Sequence, residues 1–356
     1  MILDNVGAIL GLDIGGANIK ISNGSDFHHH EPFALWQSPE KLAEVLRTLI
    51  EKSPAATALA MTMTGELTDC FENKKQGVAF IADQTAQASE LPLHIYLVDG
   101  RFVDLVIAKR EYALAAASNW HALAKFIAWE LANDQAGLLV DIGSTTTDII
   151  PFRNGHVISD SRDDYGRLER RELVYTGSIR SNLAGIMLEV QHRGQTCPVM
   201  NELFATTLDT NILLGHFEPA DHGYYTADGM GTGYADCVRR IARLIGKDDL
   251  TFNQEDAIEI SAQIYAAQTT QINDAIRTVL KRHDLFSPQI FVSGQGEFLA
   301  YDAAKAASQS VENAAIKRIS DHLGLDGSSC ATAFAISRLA KKWLSETSRT
   351  ETEVTP

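Results

Sequence analysis

A strand, a glycine turn and a second strand occur twice in this chain, and that duplication constrains the fold more than any other feature. Residues 6–14, VGAILGLDI, form a near-continuous apolar run, and residues 19–22, IKIS, alternate before Asn23-Gly24, a pair favoured in tight turns. The same order returns at 137–155, where GLLVDIG is followed by STTT, DIIPF and Asn154-Gly155. Aligning the copies places Asp13 on Asp141, Ile14 on Ile142, Gly15 on Gly143, Gly16 on Ser144, Asn18 on Thr146 and Lys20 on Asp148. A Rossmann or Walker loop runs from strand into helix, whereas both of these run from strand into strand.

The segments between and beyond the hairpins read as α/β. An amphipathic helix is expected near 39–52, apolar strands near 56–63 and 94–98, and an alanine-rich helical stretch from about 103 to 132. After the second hairpin, helical patterns near 180–192, 200–215, 233–246 and 254–283 predict a helical insertion spanning about 180–285. A buried strand at 289–294 then leads through Gly294-Gln295-Gly296 into a helix near 297–308. At 356 residues the chain is long enough for two domains, expected at 1–135 and 136–327, with a one-sided apolar helix at 328–344 packing back on the first. Residues 345–356 lack apolar periodicity and are expected to form a mobile tail.

Charge narrows the partners. With 31 basic against 46 acidic residues, the formal charge of −15 repels nucleic-acid backbones and anionic membrane surfaces and favours a small-molecule partner. An anionic ligand must then be held by backbone N–H groups, selected cations or a metal ion. Cys70, Cys197, Cys237 and Cys330 lie far apart with no C-x-x-C pair, so reduced and mostly buried thiols are expected. Neither a basic leader nor an unbroken apolar span precedes Asp13, and a cytoplasmic location is expected.

The turns suit a phosphorylated ligand. Glycine lets the main chain approach an anion closely, so Gly15, Gly16 and Asn18 in one turn and Gly143, Ser144, Thr145, Thr146 and Thr147 in the other are candidate phosphate-binding residues. Asp13 and Asp141, with Asp148, are candidate Mg²⁺ carriers, and Lys20 is a candidate cation for the ligand. Gly294, Gln295 and Gly296, between a strand and a helix, could meet an adenine or ribose, or form a plain helix N-terminal turn.

The three glycine motifs together resemble the acetate kinase, sugar kinase, heat-shock chaperone and actin superfamily, with Val292-Ser293-Gly294-Gln295-Gly296 similar to its adenosine segment. That resemblance implies two RNase H-like domains of the actin and sugar-kinase type, a ligand cleft between them, and Mg²⁺, with ATP as one candidate occupant. More closely, the stretches GLDIGGANIK (11–20), MTMTGELTDCFENKKQGV (61–78), ASNWHALA (117–124) and LLVDIGSTTTDIIP (138–151) resemble the hydantoinase/oxoprolinase-related family linked to tetrahydromethanopterin-dependent one-carbon transfer. Its archaeal members are methanofuran synthases, which join an aminomethylfuran diphosphate to the phenol oxygen of γ-glutamyltyramine with loss of pyrophosphate. A tyrosine-type acceptor is the variant to consider.

Within that resemblance Glu66 is the candidate base for the phenol, and Thr64 and Lys74 candidate substrate contacts; a pair of solvated turn carboxylates, Glu66 and Asp69, is the plain alternative. Asn119-Trp120 could line the substrate pocket, or Trp120 could pack in a helix core. Tyr165, Arg167 and Arg180 occupy a polar segment in which an arginine could grip a carboxylate, although surface charge is the commoner explanation. His28 to His30 read as a solvated loop, and Thr206-Thr207-x-Asp209 as a helix N-cap. Two other functions use the same hairpins: an ATP-dependent kinase of a small metabolite, and a non-catalytic nucleotide sensor.

Overall fold

The computed structural model describes residues 7–220, 226–248, 250–309 and 313–353, with side chains as far as 347. The chain divides into two compact units: residues up to 137 with 150–167 and everything from 319 onward, and residues 138–149 with 168–318. The segment 150–167 therefore belongs to the first unit rather than the second. It is held there by Lys125, whose ammonium donates to Gly155 O at 2.9 Å, and by Arg167, which lies on Trp120.

The first unit is built on a six-stranded sheet. Its strands are β1 (Ile9–Ile14), β2 (Asn18–Ser22), β3 (His28–Pro32), β4 (Ala58–Met63), β5 (Leu93–Tyr96) and β6 (Phe102–Val103), in the order β3-β2-β1-β4-β5-β6. The first three are antiparallel, and β1, β4 and β5 run parallel. Asp13 lies across the hairpin from Lys20, and Ile14 lies beside Met63 of β4. Leu12, Ile14, Ile19, Ile21, Met61 and Met63 are fully buried in one core, which accounts for the near-continuous apolar runs. A sheet covered on both faces needs them.

Several elements depart from the sequence expectations. His28–Pro32 is an edge strand paired with β2 rather than a loop. A helix at Lys74–Ala88, not expected, follows Asn73, whose side chain caps it by accepting from Gln76 N at 3.0 Å. The alanine-rich stretch is broken into Leu105–Arg110, Tyr112–Ala115 and Asn119–Phe126, followed by a π turn at Ile127–Leu131, and the break before Asn119 contains Ala117 at φ +47°. The last helix runs Ala331–Glu353 along β1, where Ser337 Oγ donates to Ile9 O at 2.7 Å. Residues 345–353 of the expected tail thus continue that helix, and 354–356 lie outside the described residues.

The remaining strands are β7 (Gly137–Ile142), β8 (Thr147–Arg153), β9 (His156–Val157), β10 (Leu173–Val174), β11 (Glu189–His192), β12 (Gln195–Pro198), β13 (Gln289–Ser293) and β14 (Ala315–Arg318); all fall in the second unit except β9 and the last four residues of β8, which are assigned to the first, as is Gly137. The main sheet has the order β10-β8-β7-β13-β14, with β9 on β8. In both sheets a hairpin neighbours a strand from far along the chain, β4 beside β1 and β13 beside β7, and β13 pairs in parallel with β14. Where a helix was expected at 180–192, a short 3-10 turn gives way to the hairpin β11–β12, which turns at Arg193-Gly194 with both residues at positive φ. Helices Thr207–Leu213, Tyr234–Arg243 and Gln254–Arg282 share one apolar core with Val190 of β11. Thr206 begins the first of them, its N–H donating to Asp209 Oδ2 at 2.9 Å, as the N-cap reading anticipates.

All four cysteines are free thiols; Cys237 and Cys330 are buried, Cys70 and Cys197 half-buried. Among the described residues no helix is long and apolar enough to cross a membrane.

Candidate active site

The first turn is closed by Gly15, whose N–H donates to Asn18 O at 2.9 Å, while Phe33 N and Leu35 N hold its outer carbonyls at Ala17 and Gly16. The amides of Gly16 and Ala17 donate to no acceptor among the described residues. Two unengaged N–H donors on a glycine turn are the groups an anion-binding turn requires. At its base Asp13 is buried, and its Oδ1 has no hydrogen-bond partner. Burial holds its carboxyl above the usual range, and the Lys20 ammonium across the hairpin partly opposes that.

Glu66 belongs to the same unit. Thr64 N and Gly65 N both donate to Ile14 O, at 2.9 and 3.2 Å, so the turn after β4 lies against the end of β1. Glu66 is only 1% exposed and its Oε2 has no partner, which removes the solvated-turn reading for this residue; Asp69 is exposed. Burial pushes the Glu66 carboxyl up to about 7, against the pull of the backbone amides of Glu66 and Ala117 and of the Lys74 ammonium. Asp164 pushes it further up, and Asp164 is itself 3.7 Å from Lys74 and 3.4 Å from Arg167.

The Arg167 guanidinium is buried over the Trp120 ring, 4.4 Å from its centroid. Two expectations change here. Arg167 is not surface charge, and Trp120 does not offer an open face, because a cation covers one side of it; its Nε1 is buried without a partner. Asn119 is half-buried at the start of its helix, next to Ser118, which hydrogen-bonds Thr62 at 2.6 Å. Asp164 carries no motif of its own in the sequence. Its spacing of three from Arg167 in a short helix was the available signal.

The second unit repeats the first turn in detail. Gly143 N donates to Thr146 O at 2.9 Å, and Ile179 N and Arg180 N close on Ser144 O at 3.1 and 2.8 Å, as Leu35 N does on Gly16 O. The amides of Ser144 and Thr145 donate to no described acceptor, and the two hydroxyls lie 3.4 Å apart and half-exposed, with Thr146 beside them. Thr147 is a correction: it is fully buried and its hydroxyl donates to Thr176 O at 2.7 Å, so it fastens β8 to the neighbouring loop instead of facing a ligand. Asp141 is half-buried near the end of β7, Asp148 is buried on β8, and Arg180 has an exposed side chain.

The third glycine segment packs on this turn. Gly296 N donates to Ile142 O at 2.9 Å, the counterpart of Gly65 N on Ile14 O, with Gln295 half-buried beside it. Glu297 therefore follows its glycine as Glu66 follows Gly65. The two carboxylates differ: Glu297 is 3.5 Å from Arg318, whereas Glu66 is buried with an unengaged oxygen.

Among the described residues no three His, Cys, Asp or Glu side chains form a metal cluster. The donor set nevertheless fits Mg²⁺, which keeps several waters and takes one or two carboxylates plus phosphate oxygens. The vacant acceptor on Asp13 is such a carboxylate oxygen.

Comparison with known proteins gives relatives, a fold likeness and a family. A protein from Methanocaldococcus jannaschii, named (4-{4-[2-(gamma-L-glutamylamino)ethyl]phenoxymethyl}furan-2-yl)methanamine synthase, is 32% identical over 339 residues, covering 94% of this chain and 98% of its own. A protein of the same name from Methanococcus vannielii is 30% identical over 211 residues, covering 59% of this chain and 93% of its own. A nucleotide-free acetone carboxylase structure superposes with a TM-score of 0.54 at 11% identity, covering 93% of this chain and 70% of that one, a likeness of fold. The Hydantoinase/oxoprolinase family model matches residues 57–342, and the chain belongs to that family.

Proposed function

We propose that this protein is a transferase that forms the phenoxymethyl ether named in its relatives' product, joining an aminomethylfuran diphosphate to the phenol oxygen of a γ-glutamyltyramine or tyrosine-type acceptor and releasing pyrophosphate. The observation that carries this reading is Glu66: a buried carboxylate with one free oxygen, held at about 7 in the same unit as a glycine anion cradle. A phenol ordinarily titrates near pH 10, so its attack at neutral pH calls for a base of this kind.

In the proposed reaction the bond between the furfuryl carbon and the diphosphate oxygen breaks, and its electron pair leaves with pyrophosphate. The phenol oxygen bonds to that carbon and gives its proton to Glu66 Oε2. The amides of Gly16 and Ala17, with Lys20, would hold negative charge on the departing group. A hydrated Mg²⁺, carried by Asp13 within the first unit, would supply further charge neutralisation. Thr64, Lys74 and Asn119 are the proposed neighbours of the acceptor.

Purified protein given Mg²⁺, an aminomethylfuran diphosphate and γ-glutamyltyramine should release pyrophosphate and an aryl ether in equal amounts, and Asp13→Asn should abolish both. Acceptor-dependent ADP from ATP, without ether formation, would replace this reading with that of a kinase.

A further inference from the structure

The three consecutive histidines at 28–30 are not equivalent once β3 has paired with β2. His28 shares a hydrogen bond with Ser22 Oγ at 2.9 Å, and exposed His29 meets Glu31 at 3.0 Å. His30 is half-buried opposite Lys20 in the register, and its Nε2 lies 2.8 Å from Asn18 Oδ1. A carboxamide oxygen can only accept, so Nε2 carries the proton and donates. That bond fixes which way the Asn18 carboxamide faces: with Oδ1 engaged by His30, the NH₂ group is the end left to meet a ligand.

Asn18 is the residue whose carbonyl closes the first cradle, by accepting from Gly15 N at 2.9 Å. Thr146 occupies the same place in the second turn, where a hydroxyl can rotate to donate without help. An asparagine can present either its oxygen or its NH₂ group, and a donor bound to the oxygen favours the orientation that offers NH₂ to an anion. The chain around His30 is held by Phe33 N, which donates to Ala17 O at 3.0 Å, and by Cys330 Sγ, which donates to His29 O at 3.4 Å.

We infer that His30 is a positioning residue for diphosphate binding, orienting the Asn18 carboxamide as a donor to the ligand's phosphate oxygens. The inference rests on reading the first turn as the diphosphate cradle. His30 does not itself touch the ligand; it selects one of two Asn18 orientations, and the wrong one would present a carbonyl oxygen to an anion.

The test is calorimetric titration of the full-length protein with inorganic pyrophosphate in the presence of Mg²⁺, with thermal melting of each variant in parallel. His30→Phe removes the donor and should weaken pyrophosphate roughly tenfold, the scale of one hydrogen bond to a charged group. His30→Gln keeps an N–H donor at similar reach and should recover most of that loss, which a purely structural role for the ring would not. In an Asn18→Ala background, His30→Phe should have no further effect on binding, and this comparison holds even where His30→Phe lowers the melting temperature. Unchanged pyrophosphate affinity in His30→Phe, or His30→Gln binding as weakly as His30→Phe, overturns the role of His30 alone. Absence of pyrophosphate binding by the unaltered protein overturns both this role and the cradle reading beneath it.

Discussion

Gly77 rests on the main chain of Glu66: a Cβ built on Gly77 would lie 2.2 Å from the Glu66 carbonyl oxygen and 2.7 Å from its Cα. Side chains do not approach a backbone so closely, so the helix Lys74–Ala88 can meet this turn only through a glycine. Gly77→Ala must separate the helix from Glu66 or rotate the turn, at a cost of about 1–3 kcal/mol. Turnover should fall at least tenfold, because Lys74 and the base shift relative to each other. Steady-state rates together with a thermal melt check this; wild-type values for both would mean that the contact is slack.

Glu66 should leave its signature in stability as well as rate. Its carboxyl sits at about 7 in the folded protein against 4.5 when unperturbed, so between those values the folded state binds a proton that the unfolded state has released. The contribution of this group is therefore most favourable below 4.5 and is lost as pH rises through about 7. The full cost above that range is about 3 kcal/mol, from a shift of about 2.5 units at 1.36 kcal/mol each. Glu66→Gln should accordingly resist urea better than wild type at pH 8, with the gain vanishing near pH 4, while ether formation is lost. Wild-type rate should fall as pH drops below about 7. A urea gain that is the same at both pH values would show that Glu66 is not the buried group responsible.

The parts of this site that were legible in the sequence are those written in short periods. Asp13-Ile14-Gly15 and Asp141-Ile142-Gly143 announced themselves because a strand, a turn and a strand leave a pattern within ten residues and then repeat it. The helix Lys74–Ala88 left none, since Lys74, Lys75, Gln76, Gln84 and Gln87 dilute its apolar stripe and Gly77 reads as a breaker. His28–Pro32 shows no apolar alternation because it is an edge strand, positioned by its ladder to β2. Thr147 reads as one more hydroxyl of the turn, but it is the first residue of a strand buried almost throughout, and its hydroxyl is taken by Thr176 O. The stack of Arg167 on Trp120 joins residues 47 positions apart in sequence, and no local pattern encodes such a contact.

That stack makes its own prediction. Arg167 couples Asp164 to the indole of Trp120, and a planar guanidinium can do both at once where an ammonium cannot. Arg167→Lys should therefore behave more like Arg167→Met than like wild type. Both should open Trp120 to water, seen as a red shift of tryptophan emission, and both should lower kcat/KM by disturbing the Asp164–Lys74 pair beside Glu66. A lysine variant with wild-type emission and kinetics would show that charge alone suffices.

The second unit depends on a different buried cation. Arg240 is fully buried; its Nε donates to Asp209 Oδ1 at 2.7 Å, and its Nη1 to Asp228 Oδ1 at 3.0 Å and Gly231 O at 3.1 Å. Asp209 in turn accepts from Thr206 N at the start of the helix Thr207–Leu213, so one guanidinium ties a helix cap to the Asp228–Gly231 loop. Burial already drives the Asp209 carboxyl upward, and Arg240 is the main group pulling it back. Arg240→Met strands that carboxylate, at a cost of about 3–5 kcal/mol near neutral pH. Because the stranded group then titrates above its unfolded value, the loss should grow as pH rises and shrink as Asp209 takes up a proton in acid. Asp209→Asn added to Arg240→Met should recover part of the stability at pH 8 and little at pH 5, since the neutral amide stands in for the protonated acid. Urea unfolding of the two variants at both pH values decides it: a penalty for Arg240→Met that is independent of pH would mean that lost packing around the side chain, and not the uncompensated carboxylate, destabilises this unit.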